Sequence, residues 1–352
     1  MISPIGKSAA DCVIPARLHP SGFRMSDANF YSLTRASDNN IYYTLCSHNI
    51  DTHGRVYRYN PGADEVTLVG DLGEITGEAG QKTLPQGKSH TPFFEYSGKL
   101  FFATQYGFFR VTDEKEELAP LPEGYKPYPG GHFISIDLAS PSCDVLATAP
   151  KEEGILTMGM DTVRGRMYGL TWPGGLFLAY DLGSGVLRNR GPVSRGGEMG
   201  TGDRYFCLCR TFAVFPEDGS VYFTNADGEI LRYDWEADLL ESVKWAHLRR
   251  DILGHWDPHE PGHQGYNWRP CKWHPERRVF FGVHPKSGYL FCFDPRNRKL
   301  EYLSRPAAPQ RRLRALPVRV SDARVRPGRS RYRVLPFGHV RHRRRRRPAG
   351  RE

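Results

Sequence analysis

Histidine, arginine, tyrosine and tryptophan recur in this sequence at comparable places beside short apolar segments. These side chains can bind an anion and move a proton. His90 stands in Gly87-Lys88-Ser89-His90-Thr91-Pro92, and His132 follows Pro129-Gly130-Gly131. Gln105 and Tyr106 end the segment that starts at Phe101, Trp172 follows Leu170-Thr171, and Asn225 follows Val221–Thr224. Tyr205 and Arg210 bracket Cys207-Leu208-Cys209, Trp268 and Arg269 precede Pro270–Trp273, and His284 follows Val279–Val283. Arginine grips a carboxylate through two parallel N–H bonds. Tryptophan and tyrosine offer flat faces for a sugar ring, and histidine or tyrosine transfers protons near neutral pH. Together they suit an anionic sugar.

Several of these residues have a plainer reading. His90 could cap the turn after Gly87 or bond a neighbouring segment, and His132 could close a loop. Arg210 sits between Cys209 and Thr211, where a buried guanidinium is costly unless it meets an anion, from the protein or from a ligand. Cys271 and His284 are weak candidate ligands for a divalent metal, because close ligand spacing is lacking. His255, His259 and His263 cluster in one loop, read as a polar cover over the rim, with a spacing that also allows metal binding. Cys207 and Cys209 alternate on one strand face and read as core. The Cys 7 of the chain form no CxxC pair, which suggests reduced thiols.

The elements that must position these residues form a repeat. Strand, turn, strand recurs five times, with the aromatic residue of each second strand at Tyr42, Phe101, Tyr168, Tyr222 and Phe280. The spacings are 59, 67, 54 and 58 residues. Third strands end in Asn60, Asp137, Asp181, Asp234 and Asp294, each before a turn. There a side-chain oxygen can accept backbone N–H bonds two residues on. Four short strands per unit, repeated, predict an all-β chain folded as a β-propeller, with about five recognisable blades. Blade two carries an insertion near Phe108–Tyr128. About 55 residues per unit is too few for separate sandwiches with their own cores. In such a meander, the start of strand one, the end of strand two, the start of strand three and the end of strand four share one face of the ring. The candidate residues are expected to meet there.

Composition agrees. The chain of 352 residues has an apolar share of 39%, aromatics at 12%, Gly 37 and Pro 27, which suits many short strands and turns. No apolar run approaches the ~18 residues of a membrane span, and the N-terminus lacks a signal-peptide core, so the default expectation is the cytoplasm. The net charge of +10 is unevenly placed. Residues 306–352 hold sixteen Arg against Asp322 and Glu352, whereas residues 1–305 hold 33 basic and 37 acidic groups. The expected organisation is an N-terminal extension (1–24), a propeller (25–305) and a disordered basic tail (306–352). We read the tail as the product of a shifted frame in a G+C-rich coding region. The alternative is a basic arm making non-specific nucleic-acid contacts.

Gly87–Pro92, Phe101–Gly107, Tyr128–His132, Cys209-Arg210-Thr211 and Gly282-Val283-His284 resemble the propeller polysaccharide lyases, of the ulvan-lyase-like and oligogalacturonate-lyase-like kinds. The resemblance spans roughly residues 28–305 and lies in blade layout more than in a diagnostic motif. It implies seven blades and β-elimination on a uronate-containing polysaccharide or oligosaccharide, in some members with a metal. It further implies His90 or His132 as base, Tyr205 or Tyr106 as acid, and Arg210 on the carboxylate. Gln105 departs from the pattern, since a second catalytic histidine would be natural there. A non-catalytic carbohydrate- or protein-binding propeller is the alternative.

Overall fold

The computed structural model describes residues 17–305 except 113, 114, 141, 201 and 261–264. The tail expected at 306–352 and His263 lie outside the described residues. Five four-stranded antiparallel sheets follow one another along the chain, and the chain is a β-propeller. Blade one comprises β1 (Leu33–Arg35), β2 (Ile41–Leu45), β3 (Arg55–Asn60) and β4 (Glu65–Asp71), followed by the short helix α1 (Leu72–Ile75). Blade two comprises β5 (Phe94–Tyr96), β6 (Lys99–Ala103), β9 (His132–Asp137) and β10 (Cys143–Thr148). Its insertion forms a hairpin of β7 (Arg110–Thr112) and β8 (Lys115–Glu117). Blade three comprises β11 (Gly154–Asp161), β12 (Arg166–Trp172), β13 (Leu176–Asp181) and β14 (Leu187–Pro192). Blade four comprises β15 (Ala213–Val214), β16 (Val221–Thr224), β17 (Glu229–Asp234) and β18 (Leu239–His247). Blade five comprises β19 (Arg269–His274), β20 (Val279–Val283), β21 (Leu290–Asp294) and β22 (Lys299–Ser304).

The turn chemistry follows the sequence. Asn60, Asp137, Asp181, Asp234 and Asp294 each accept backbone N–H bonds from residues two or three places on, at 2.8–3.2 Å. A second repeated device joins the blades. The last residues of β2 and β16, and Thr104 just after β6, include buried threonines. Thr224 Oγ1 accepts the Trp268 N–H of the next blade at 3.1 Å, and Ser32 Oγ, 3.0 Å from Thr44 Oγ1 in its own blade, donates to Ser89 Oγ of blade two at 3.2 Å. The innermost strands begin later than expected in blades one, two and four. In blade two the reason is Pro92, which lacks an N–H. The Thr91 hydroxyl takes the Ala103 N–H at 3.0 Å in place of a main-chain partner.

Packing runs from neighbour to neighbour. One core cluster joins blades one and two through Tyr42, Val56, Phe93 and Phe102. A second joins blades two and three through Phe101, Phe133, Ile155 and Tyr180. The largest gathers Trp172, Phe177, Phe223, Trp268 and Phe293 from blades three to five. β11 is buried along its whole length, as a strand covered on both faces must be. Blades one and five differ. Ile41, Tyr43 and Leu45 of blade one, and Phe281, Val283 and Cys292 of blade five, remain partly exposed on the faces turned from blades two and four. No described cluster contains buried residues from both of these blades. Residues 17–24, expected as an extension, lie partly against blade one. His19 packs on Tyr59 with ring centroids 5.1 Å apart, and Phe23 is buried beneath Arg55.

No helix among the described residues is long and apolar enough to cross a membrane. The six described cysteines form no disulfide.

Candidate functional site

Inner segments of all five blades converge on His90. Its ring lies 5.0 Å from that of Phe30 in blade one. Burial first, and then the positive charges of Lys88, Arg210 and Arg269 from blades two, four and five, push its pKa well below the ordinary histidine range, against the backbone of Leu156 in blade three. The imidazole is therefore neutral at physiological pH. His90 is enclosed by protein yet keeps some accessible surface, as a side chain lining an axial channel does.

The three cations are held differently. Lys88 is 1% exposed, and its Nζ lies 4.2 Å from the Phe109 ring centroid and 5.0 Å from that of Phe30. Such a sandwich offers the ammonium the negative faces of two aromatic rings. Phe109 comes from the insertion, so the hairpin supplies part of the site. Arg210 donates from Nη2 to both oxygens of Glu198 at 2.8 and 3.0 Å, and from Nη1 to the Leu208 carbonyl at 3.0 Å. The anion that sequence reasoning demanded for Arg210 is thus present in the protein. Arg269 makes no hydrogen bond or ion pair among the described residues, and its Nε is buried without a partner. Burial, and then the charge of Arg210, lower its pKa from 12.5 to about 10. Lys272 of blade five reaches Tyr31 of blade one, with Nζ 5.8 Å from the ring centroid. A groove of about 470 Å³, lined among others by Phe30, Tyr31, Phe94 and Lys272, opens beside Tyr31 and Lys272; His90, Lys88, Arg210 and Arg269 are not among its lining residues. A second concavity of about 490 Å³ lies between residues 22–25 and blade one, and none of the site residues named above lines it.

Sequence reasoning missed Lys88, Glu198, Phe30, Phe109 and an aspartate–histidine pair at the same edge. Asp27 Oδ1 lies 2.8 Å from His48 Nδ1, and Asp27 Oδ2 accepts the His48 backbone N–H at 3.1 Å. Burial opposes ionisation of Asp27, but the bonds and charge of His48 outweigh it and lower the carboxyl pKa. The His48 ring sits edge-on to Phe30 at 5.8 Å and to Phe109 at 5.0 Å. A signal for His48 existed: it follows strand two of blade one, as Gln105 and His284 do in blades two and five.

Of the expected site residues, the structure brings His90, Arg210 and Arg269 together and places the others apart. His132 is buried in a separate network, with Nε2 2.7 Å from Glu78 Oε1 and Nδ1 3.0 Å from Thr148 Oγ1. Glu78 also accepts from Gln86, which bonds Tyr128. Tyr106 is core: it stacks on Tyr128 at 3.8 Å and donates to the Glu152 carbonyl at 2.6 Å. Burial, and then Glu152, raise its pKa far above the tyrosine range, which unfits it as a proton donor near neutrality. Trp172 and Trp268 are core rather than rim, and Trp268 Nε1 donates to the Thr211 carbonyl at 3.0 Å. Tyr205 packs with Phe206, Cys207 and Ala226, and its carbonyl lies 3.1 Å from His259 Nδ1. Asn225 serves a turn, bonding Glu229 through both ends of its amide. Gln105 is fully buried, with both amide atoms unpartnered among the described residues. These positions were chosen by distance from strand ends, but side chains on a strand alternate in direction, so many point into the blade packing.

His284 is fully buried, with Nδ1 2.9 Å from Ser287 Oγ, and burial lowers its pKa to about 4. Burial, and then neighbouring Cys209, raise the thiol pKa of Cys271. Among the described residues no group of three or more His, Cys, Asp or Glu could hold a metal ion. Cys271 and His284 therefore lack the companions a closed site needs.

No family model and no curated protein matches the chain. Solved structures do, at low identity. An auxiliary nutrient-binding protein of Bacteroides thetaiotaomicron is 11% identical with a TM-score of 0.44; the match covers 79% of this chain and 57% of that one. A periplasmic gluconolactonase of Pseudomonas aeruginosa is 13% identical with a TM-score of 0.45, covering 79% and 70% of the two chains. The Dos1 propeller is 10% identical with a TM-score of 0.46, covering 78% and 59%.

Proposed function

We propose that residues 25–305 form a carbohydrate-active propeller that binds an acidic oligosaccharide or polysaccharide at the axial site and cleaves it by β-elimination. The observation that carries this reading is a neutral imidazole, His90, beside three cationic side chains at the meeting point of five blades. Elimination next to a uronate carboxylate needs both. A cation on the carboxylate makes the C5 proton acidic by stabilising the charge that builds up as it leaves. A neutral base must then take that proton. Arg269 has donors that the protein leaves unmet, so it is the group to meet the carboxylate, with Arg210 next to it locked to Glu198. Phe30 and Tyr31, partly or well exposed, offer ring faces to the sugar. His132, Tyr106 and Tyr205 have no part in this reading, because each is engaged away from His90.

The test is ultraviolet absorbance during incubation with a panel of uronate-containing polysaccharides. Elimination leaves a conjugated C4–C5 double bond that hydrolysis cannot produce. His90→Gln should slow its appearance by about 100-fold or more, the usual contribution of a general base. Arg269→Met should chiefly weaken substrate binding. Cleavage without a rise in absorbance, or an unaltered rate in His90→Gln, would overturn the reading.

The non-catalytic alternative draws on one observation: Glu198 already neutralises Arg210. It predicts uronate binding, seen by calorimetry, with no change of the sugar.

A further inference from the structure

We propose that His48, oriented by Asp27, is the acid that protonates the leaving glycosidic oxygen; this rests on the elimination read from the site above. An elimination needs two proton carriers in opposite states, and the two imidazoles bordering Phe30 stand in opposite surroundings. His90 faces Lys88, Arg210 and Arg269, whereas His48 faces the carboxylate of Asp27 at 2.8 Å. With Nδ1 held by the Asp27 carboxylate, Nε2 is the ring nitrogen left to pass a proton to the site. His48 Nε2 is shielded from solvent and has no hydrogen-bond partner among the described residues. A histidine kept only to fix the Asp27 loop would need its backbone N–H and Nδ1, both of which Asp27 uses. Nothing in that role requires a shielded Nε2.

Phe30 ties the two carriers together. Its ring lies 5.0 Å from His90 and 5.8 Å from His48, and Phe109 closes the far side of His48 at 5.0 Å. A uronate ring held near Phe30 therefore has a base on one flank and an acid on the other. The C5–H electron pair becomes the C4–C5 double bond, and the proton passes to His90. The C4–O bond breaks with its electron pair on oxygen, which takes the proton from His48 Nε2. Elimination leaves His90 protonated and His48 neutral, and proton exchange after the products depart restores both. In this scheme His48 is a catalytic residue and Asp27 a positioning residue.

The experiment compares two leaving groups on the full chain. One substrate is an oligouronate, whose sugar alkoxide must be protonated to depart. The other is a uronoside carrying nitrophenoxide at C4, which departs unaided. His48→Gln should lose about 100-fold or more in kcat on the first and only a few-fold on the second. Asp27→Asn should show the same contrast at smaller amplitude, with KM little changed. His90→Gln should lose activity on both, because both need the base. Equal losses for His48→Gln on the two substrates, or no loss on either, would overturn the assignment while leaving the elimination intact. No unsaturated product from the unaltered protein with either substrate would overturn the elimination and this assignment together. Melting curves of each variant separate misfolding from loss of chemistry.

Discussion

Replacing Arg269 by methionine should make the protein more stable and less able to bind. The side chain is partly buried, with its Nε shielded, and makes no hydrogen bond or ion pair among the described residues, and its pKa falls from 12.5 to about 10, chiefly through burial and then through Arg210. Each pKa unit corresponds to about 1.4 kcal/mol of difference between charged and neutral forms. The charged form is therefore disfavoured in the folded state by roughly 3 kcal/mol relative to the unfolded chain. The sign follows from the lowered pKa of a base. The destabilisation is fully present at every pH below about 10 and is relieved only as pH rises from there toward 12.5. Methionine keeps an unbranched apolar stem of similar reach and removes the charge. Arg269 keeps some accessible surface, so its charge is partly screened and the expected gain is about 1–3 kcal/mol at pH 7. Urea titration followed by tryptophan fluorescence should show a higher midpoint at unchanged slope. The same variant should lose affinity for uronates, the trade expected of a group kept for function. A variant less stable than the parent would refute the reasoning, because it would mean that Arg269 is fastened by the protein itself. So would a variant that gains stability and still binds with full affinity.

Two further outcomes test the scaffold. A Cβ at Gly87 would stand 2.2 Å from Gly107 Cα and 2.5 Å from the Ser47 carbonyl oxygen. Gly87→Ala should therefore destabilise by at least about 3 kcal/mol, while Gly196→Ala, whose Cβ would meet nothing nearer than 3.9 Å, should melt close to the parent. His284 has a folded pKa of about 4 against an ordinary 6.5. Its neutral form is favoured by folding, so this contribution is complete above pH 6.5 and is lost as pH falls through the window from 6.5 to 4. The loss should reach about 2–3 kcal/mol. His284→Gln should flatten the corresponding slope in urea midpoints measured between pH 7 and 4.

The blades were legible because their signals are local. The aromatic residue of strand two and the turn residue after strand three each lie within a short segment, and in every blade the first falls inside the observed second strand and the second at the end of the observed third strand. The innermost strands were less legible, because Pro92 and the threonine hydroxyls replace ladder bonds there, and such substitutions have no simple period. Of the candidate site, His90, Arg210 and Arg269 were legible because each is a charged or titratable residue at or just before the expected first strand of its blade. Tyr106, Trp172 and Trp268 were misplaced to the rim. Large aromatic residues at strand ends are equally at home between blades, and sequence does not reveal which way a side chain turns beyond a strand's last ladder pair. Glu198 was hidden because it reaches Arg210 from a loop rather than a strand. Lys88 was hidden because a fully buried lysine is rare and its aromatic partners, Phe30 and Phe109, come from separate segments.

Among the described residues blades one and five share no core cluster, yet the candidate site draws Phe30 and Tyr31 from the one and Arg269 from the other. In the function proposed above, the aperture between them is bridged by the groups that would bind the ligand rather than by packing. An anion that engages Arg269 while its sugar rests on Phe30 acts as a clasp, adding its binding free energy to closure of the ring. By linkage, a ring already drawn shut holds the anion more tightly. Amide hydrogen exchange in β1 and β19 should then slow on binding more than exchange in the interior strand β11, so occupancy of the site would be readable at the two ends of the blade series.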